Sequence, residues 1–188
     1  KRTRFLSGNE LARLGKVLSQ VEQDGSESAH AVAAFRLLLL TGCRLSEIQK
    51  LKWAWVDLDE LEIRLPDSKT GAKSVYLGEA AIDVFKKVPK MAGNPFVIVS
   101  KKPGAYLTDM QRPWRRIRKL AELEDVRIHD LRHTFASGGL VVGEGLSMIG
   151  KLLGHTQIQT TARYAHLAND PIKAAATKIP SRLAEALG

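Results

Sequence analysis

The stretch LEIRLPDSKTGAKSVYL, residues 61–77, decides the fold class. Apolar and charged residues alternate from Leu61 to Leu65, and a shorter alternation runs from Ser74 to Leu77. Alternation with a period of two is typical of half-buried strands. The connector between them, Pro66–Lys73, is rich in turn-forming residues. We therefore predict a β-hairpin here.

Helical periodicity dominates on both sides of this hairpin. Before it, the spacing of apolar residues predicts helices near 7–23 and 28–41, and a third after Ser46, where Ser46 and Gln49 would form a capping box. After it, we predict a helix near 79–87, a short strand at Phe96–Val99, and helices near 108–122, 131–141, 145–153 and 157–167. The predicted fold is mainly α with a small antiparallel β-sheet, an α+β architecture.

The composition favours a polyanionic partner, because the formal charge is +9 and the pI is about 9.8. A cluster such as Arg112–Lys119 could be a solvated helix face, but the basic excess extends over the whole chain. No run of about 18 apolar residues could span a membrane, and no signal-peptide pattern is present. The single cysteine, Cys43, excludes an internal disulfide and fits a reducing compartment. We interpret it as a buried small side chain rather than a nucleophile.

Several polar residues fall at predicted helix starts, where free N–H groups favour anions. Arg44 lies just before the Ser46 cap, and His129 and Arg132 flank Asp130, a predicted N-cap. His155 precedes Thr156, which we expect to form a capping box with Gln159. Arginine matches two phosphate oxygens with its planar fork. Three such places in one basic chain suggest that a single phosphodiester is bound.

Each candidate residue also has an ordinary structural explanation when it is taken alone. Arg44 could pair with Glu47 on the surface, and His129 could be a partly buried histidine with its hydrogen bonds satisfied. Lys69 could be a turn lysine, and Tyr164 a half-buried aromatic residue. The order of the segments and the residues within them favour a functional role over these structural explanations.

Five segments occur in a specific series: TGCRLSE at 41–47, SKTG at 68–71, HDLRHT at 129–134, LGH at 153–155 and TTARY at 160–164. Over about residues 5–168 this series resembles the catalytic domain of the tyrosine recombinases, the phage integrase family. The resemblance implies that family's catalytic fold for residues 1–168. Residues 169–188 would form a tail, either folded back on its own domain or exchanged between subunits.

The resemblance implies that Tyr164 is a nucleophile that cuts DNA and remains attached to the 3′ phosphate, leaving a free 5′-hydroxyl. An ordinary tyrosine has a pKa near 10, so the phenol needs help at neutral pH. His129 would accept and return its proton. Lys69, on the hairpin turn, would protonate the leaving 5′-oxygen.

Four further positions would bind or support the phosphate. Arg44 and Arg132 would clamp it and stabilise charge in the transition state. His155 would hydrogen-bond a nonbridging oxygen. Glu47 falls at a usually acidic position of the family and would support the Arg44 region rather than take part in the chemistry.

The same resemblance implies no metal, no ATP and no cofactor, because the phosphotyrosine bond conserves the energy needed for rejoining. The expected partner is double-stranded DNA with a specific core site, bound by a homotetramer on synapsed sites, while the isolated domain could be a monomer. The expected compartment is the cytoplasm of a bacterial host. The chain opens at Lys1 without a methionine. We therefore expect a fragment from which an N-terminal DNA-binding domain is absent.

Three alternatives to this interpretation are less well supported by the sequence. A topoisomerase of type IB would use similar residues to relax DNA, but the wording of the motifs is that of an integrase. A catalytically inactive DNA-binding module is disfavoured because all six candidate residues are present. His129 and His133 have the i, i+4 spacing of a zinc-protease helix, yet Asp130 stands where that motif needs Glu. We therefore interpret His133 as packing or support.

Overall fold

The computed structural model describes residues 4–67, 71–155, 157–165 and 180. Within them the helices are α1 (Gly8–Gln23), α2 (Ala29–Thr41), α3 (Leu45–Gln49), α4 (Glu79–Lys87), α5 (Gln111–Leu120), α6 (Ile128–Val141), α7 (Leu146–Leu153) and α8 (Ile158–Ala162). The strands are β1 (Val56–Asp57), β2 (Glu62–Leu65) and β3 (Lys73–Tyr76). The α+β fold predicted from the sequence is confirmed.

The predicted hairpin is the β2–β3 pair, which is antiparallel with Ile63 opposite Val75. Ile63, Leu65 and Val75 are buried, whereas Arg64 and Ser74 between them are exposed. This alternation is what the sequence pattern predicted. The short strand β1 adds a third strand on the other side of β2.

Helix α2 is the centre of the main hydrophobic core and packs against α4 and α6. It is apolar on nearly all sides, so it suits a position with neighbours all around. Phe35 of α2 contacts Trp114 of α5 with ring centroids 5.0 Å apart. A second, smaller core cluster contains Ala136, Ile149, Leu153 and Tyr164. The two clusters share α6, which positions the polar residues of its first turn.

Two predicted helix boundaries are confirmed by their caps. The hydroxyl of Ser7 accepts a hydrogen bond from the Glu10 backbone, and the Glu10 carboxylate accepts from the Ser7 N–H, a complete capping box. Gly42 ends α2 with φ at 63°, in the left-handed region. A Cβ at Gly42 would lie 2.5 Å from Cδ1 of Phe135, so this position requires glycine.

Other predicted caps are wrong. Helix α3 begins two residues earlier than expected, with Arg44 as N-cap, and Glu47 rather than the Ser46–Gln49 pair satisfies its start. The Gln49 amide instead donates to the carbonyls of Leu107 and Thr108. These partners are distant in sequence, so the local motif could not show the competition.

Helix α6 also begins earlier than expected. Its N-cap is Arg127, and the predicted N-cap Asp130 lies at the third helical position, where it accepts from the Arg127 N–H. The predicted strand Phe96–Val99 is replaced by isolated bridges from Phe96 to Lys52 and from Val99 to Tyr106. In the described part of the chain, no helix is long and apolar enough to cross a membrane.

Candidate functional site

Arg132 connects the three regions in which polar residues fall at predicted helix starts. Its side chain is buried, with the residue only 4% exposed. Nη1 donates to the carbonyl of Gly42 at the end of α2, and Nη2 donates to the carbonyl of Leu153 at the end of α7, 2.8 Å away. The guanidinium is thereby fixed between α2, α6 and α7. Burial and the nearby Arg44 cation lower the pKa of Arg132, although a guanidinium remains charged at neutral pH.

Arg44 is held at the start of α3 by Glu47. One oxygen of the Glu47 carboxylate accepts from the Arg44 backbone N–H at 2.7 Å, and the other accepts from Nη1 at 2.8 Å. The Arg44 side chain is 21% exposed, whereas that of Glu47 is 5% exposed. The predicted pairing of these two residues is therefore present, but the carboxylate is buried rather than on the surface.

Lys73, the first residue of β3, is the second cation on this carboxylate. Its Nζ lies 3.0 Å from Oε2 of Glu47, and its side chain is 11% exposed. Burial pushes the pKa of Glu47 upward, but the Arg44 backbone N–H and the Lys73 ammonium outweigh it, so that the pKa is lowered. Glu47 is accordingly an ionised, buried carboxylate with cations on both sides.

His129 and His133 lie one turn apart on α6 and touch edge to face, with ring centroids 4.8 Å apart. His129 is exposed, yet partial desolvation of its ring and the Arg132 cation lower the pKa of its imidazole. His133 is 5% exposed. Burial and the neighbouring His129 lower the pKa of His133 to about 4, so both rings are neutral at pH 7.

Tyr164 is in contact with His133. Its hydroxyl lies 2.5 Å from Nδ1 of His133, and the ring centroids are 5.6 Å apart. Because His133 is neutral at pH 7, its tautomer sets the direction of this bond: the phenol donates to Nδ1 when the ring proton is on Nε2, and accepts when it is on Nδ1. Tyr164 is 2% exposed. Burial raises its pKa, with Arg163 and Arg132 acting in the opposite direction. In this arrangement the phenol is closed off from any molecule outside.

His155 follows the left-handed Gly154 at the end of α7, where φ of Gly154 is 67°. Its Nδ1 lies 2.8 Å from Oγ1 of Thr161 in α8. Burial, Arg132 and Arg44 lower the pKa of His155 to about 4. Since Thr161 lies three residues before Tyr164, this hydrogen bond links a candidate phosphate ligand to the segment that carries the candidate nucleophile.

The structure thus brings together five of the six residues predicted to form the site: Arg44, His129, Arg132, His155 and Tyr164. Lys69 lies outside the described residues, as do Thr156 and the predicted tail 169–188 apart from residue 180. Sequence reasoning gave no role to Lys73 or Thr161. Only the i, i+4 spacing of His129 and His133 indicated that the two rings share a helix face.

Among the described residues, no group of three or more His, Cys, Asp or Glu side chains could hold a metal ion. Three cations, Arg44, Arg132 and Lys73, instead converge here with one carboxylate, one phenol and three neutral imidazoles. Such an arrangement suits a dianionic or monoanionic oxygen ligand such as a phosphate. Preorganised cations can also stabilise negative charge that develops when a nucleophile attacks that phosphate.

Comparison with known proteins agrees with this geometry. The model described as "Phage integrase family" matches residues 4–170. The tyrosine recombinase XerC of Staphylococcus epidermidis is 26% identical over 161 residues, covering 81% of this chain and 54% of the relative. The integrase of Salmonella phage P22 is 33% identical over 198 residues, covering 96% of this chain and 48% of the relative.

A solved structure, the catalytic domain of bacteriophage HP1 integrase, has the same fold. Its TM-score is 0.70 with 27% sequence identity, and the match covers 94% of this chain and 95% of that domain. The chain described here spans about half the length of the curated relatives it matches. The similarity therefore covers only a part of each of those relatives.

Proposed function

The chain belongs to the phage integrase family, and from that premise we propose that it is the catalytic part of a site-specific tyrosine recombinase. In this proposal it cleaves and rejoins DNA strands through a covalent bond between Tyr164 and a DNA phosphate. The observation that carries the proposal is the Arg132 guanidinium, buried between the ends of α2 and α7, on the helix whose His133 contacts the Tyr164 hydroxyl.

The proposed reaction is a transfer of one phosphodiester bond. The Tyr164 oxygen attacks the phosphorus and the bond to the 5′-oxygen breaks, which gives a 3′-phosphotyrosine and a free 5′-hydroxyl. His129 accepts the phenolic proton, and Lys69 donates a proton to the departing 5′-oxygen. Attack by a 5′-hydroxyl on the phosphotyrosine reverses these steps and rejoins a strand without an external energy source.

Arg44, Arg132 and His155 are proposed to bind the nonbridging oxygens. Two arginines can neutralise the charge that builds up on the pentacoordinate phosphorus. The structure supports this because Arg132 is fixed through two of its five N–H groups, and Arg44 through one guanidinium N–H. His155 is neutral at pH 7 and can donate from Nε2 while Nδ1 stays with Thr161.

The buried position of Tyr164 implies a rearrangement before cleavage. A phenol with 2% exposure cannot reach a phosphate in a duplex. We propose that α8 moves on DNA binding so that Tyr164 leaves His133 and approaches Arg132. His133 then acts as the resting partner of the hydroxyl, and His129 as the proton acceptor in the reactive arrangement.

The test starts from a library of short DNA duplexes that are randomised in sequence and carry a single nick. The wild-type chain is incubated with the library in EDTA, and covalent adducts are separated on a denaturing gel and sequenced. We expect an enriched sequence, an adduct with wild type, and none with Tyr164→Phe, which has the same ring and no nucleophile. An adduct formed by Tyr164→Phe, or failure of the wild type unless Mg²⁺ is added, would contradict the mechanism.

This assay, together with a second one on supercoiled plasmid DNA, separates the alternative functions. Relaxation of supercoiled DNA without enrichment of any sequence would favour a topoisomerase of type IB. Sequence enrichment by binding alone, with no adduct at any position, would favour an inactive DNA-binding module. Recombination predicts both an enriched site and a covalent adduct within it.

We further propose that the working form is a homotetramer on paired duplexes in the bacterial cytoplasm, with the tail 169–188 exchanged between copies. An apolar groove of about 660 Å³ supports the exchange of the tail. It is lined by residues including Leu11, Leu39, Phe135, Val142, Ile149 and Leu152. The tail carries Ile179, Leu183 and Leu187 at every fourth position, which suits the apolar lining.

Tail exchange is tested by disulfide formation between two copies of the chain that carry tags of different length. One chain carries Leu152→Cys in the groove and the other carries Leu183→Cys in the tail. A disulfide-linked pair of unequal chains on the selected DNA supports exchange. If a chain with both cysteines closes only an internal disulfide, the tail folds back on its own domain.

A further inference from the structure

We propose that Lys73 is a positioning residue for the phosphate-binding Arg44, and that it acts through the buried carboxylate of Glu47. The proposal rests on the proposed function, in which Arg44 binds the DNA phosphate. It concerns a residue outside the six candidates that the sequence motifs supply.

Glu47 is the point at which Lys73 and Arg44 meet. Its Oε2 accepts from the Lys73 ammonium at 3.0 Å and from the Arg44 backbone N–H at 2.7 Å. Its Oε1 accepts from Nη1 of Arg44 at 2.8 Å. Because the carboxylate side chain is only 5% exposed, these groups replace the water that would otherwise solvate it.

The charge balance explains why a second cation is needed. A buried carboxylate must be compensated, and a guanidinium that is its sole partner is neutralised by it. With Lys73 present, two cations face one anion, and one positive charge remains for the phosphate. Without Lys73, Arg44 becomes the only cation on Glu47 and is drawn toward the carboxylate.

The stem of Lys73 also fixes the neighbouring side of the site. A Cβ built at Gly154 would lie 2.9 Å from Cδ of Lys73 and 3.4 Å from its Nζ. The side chain therefore runs directly over the turn that ends α7 and carries His155. One lysine thus joins the β-hairpin, the start of α3 and the end of α7.

Lys73 is placed to hold this arrangement rather than to protonate the leaving oxygen. Its ammonium is engaged by Glu47 and its side chain is 11% exposed. Lys69, four residues earlier on the turn, keeps the proposed role of acid. The two roles make opposite predictions for a DNA substrate whose leaving group needs no proton.

The experiment measures the rate of adduct formation on the duplex selected with the wild-type chain. The variants are Lys73→Met, which removes the charge from a side chain of similar length, and Lys73→Arg, which keeps the charge. Lys86→Met removes an exposed lysine from α4 and is the matched control. Thermal melting of each variant shows whether it is folded.

For Lys73→Met we expect the rate to fall about 100-fold, the size of effect that a displacement of about 1 Å has on a catalytic group. Lys73→Arg should retain most of the rate, and Lys86→Met should match the wild type. A duplex with sulfur in place of the bridging 5′-oxygen has a leaving group that needs no acid, since a thiol has a pKa near 8.5. With this duplex, the rate of adduct formation should be restored for Lys69→Ala but not for Lys73→Met.

A double-variant cycle tests the route through Glu47. If Lys73 acts through this carboxylate, then Lys73→Met should lower the rate of adduct formation only slightly further in a chain that already carries Glu47→Gln. Additive losses, restoration of Lys73→Met by the sulfur-containing duplex, or a wild-type rate for a folded Lys73→Met would each overturn the inference. Should the wild-type chain form no adduct at all, the proposed function itself has failed.

Discussion

At the residue scale, the contact between Tyr164 and His133 sets the state in which the free protein rests. Both side chains are almost fully buried, and each is neutral at pH 7 because burial raises one pKa and lowers the other. Two neutral groups that share one hydrogen bond in an apolar cluster need no counter-ion. The resting state is therefore compatible with a buried nucleophile.

This contact predicts a loss of stability in mild acid. The pKa of His133 is about 4 in the folded protein and 6.5 in the unfolded chain, so between these values the unfolded chain binds a proton that the folded protein does not. The free energy of unfolding should thus fall as pH drops through this window, by roughly 2 kcal/mol from His133 alone between pH 8 and pH 5. Urea unfolding at the two pH values measures it.

His133→Phe provides the control, because it keeps an aromatic ring and removes the titration. The variant should show a smaller dependence on pH than the wild type, with the remainder contributed by His155 and other groups. An unchanged difference between pH 8 and pH 5 in His133→Phe would mean that His133 is not responsible.

The residue identities of the site could largely be predicted from the motifs, but their contacts could not. Arg132 was predicted from its motif to be a phosphate ligand, which stays a prediction, whereas its bonds to the carbonyls of Gly42 and Leu153 span 90 and 21 residues of sequence. The Lys73–Glu47 pair spans 26 residues. A local pattern carries no information on pairs that the folded chain brings together.

At the scale of elements, the junction of α7 and α8 places Tyr164 relative to the cations. Gly150 of α7 lies against Thr161 of α8, and a Cβ added at Gly150 would be 2.8 Å from Oγ1 of Thr161. The same oxygen contacts His155. A side chain at Gly150 would therefore displace the segment that carries Tyr164, the proposed nucleophile.

We predict that Gly150→Ala slows adduct formation by about tenfold or more, since a catalytic group is displaced. Gly138→Ala is the comparison, because its new Cβ in α6 would meet nothing within 4 Å. That substitution should raise the free energy of unfolding by about 0.5–1 kcal/mol and leave the rate unchanged. Adduct rates and urea unfolding of both variants provide the check, and equal rates would contradict the prediction.

Elements could be predicted where their signal was local. The Ser7–Glu10 box and the Gly42 stop lie within a few residues of the helix ends they define, and both are confirmed. Ser46 and Asp130 were assigned as N-caps on equally good local patterns. The N-caps are instead Arg44 and Arg127, because Glu47 and Asp130 accept from the N-cap N–H groups at the third helical position.

At the scale of the whole molecule, the charge of +9 predicts that the proposed binding to DNA weakens with salt. Each phosphate neutralised by a cation releases counterions, so the logarithm of the binding constant should fall linearly with that of the salt concentration. In a Tyr164→Phe background, which prevents cleavage, Arg44→Gln should reduce the magnitude of this slope by about 0.9. Fluorescence anisotropy across a salt series measures it.

Arg36→Gln is the control for this slope, since Arg36 pairs with Glu22 of α1 at 2.6 Å and is not among the residues proposed to bind the phosphate. Its loss should leave the slope near that of the parent. A slope that Arg44→Gln does not change would show that Arg44 makes no contact with a phosphate in the bound complex.

The burial of Tyr164 gives the protein a built-in reporter of its own activation. Tyr76 is 71% exposed and Tyr164 is 2% exposed, so a nitrating reagent should modify Tyr76 and spare Tyr164 in the free protein. On binding the selected DNA, nitration of Tyr164 relative to Tyr76, read by mass spectrometry, should rise. The complex is made with Lys69→Ala, which lacks the proposed acid, so that the phenol is not esterified. Absence of any rise in that complex would contradict the proposed movement of α8. The ratio of the two labels would thus report when Tyr164 becomes accessible within a single chain, with Tyr76 as the internal reference.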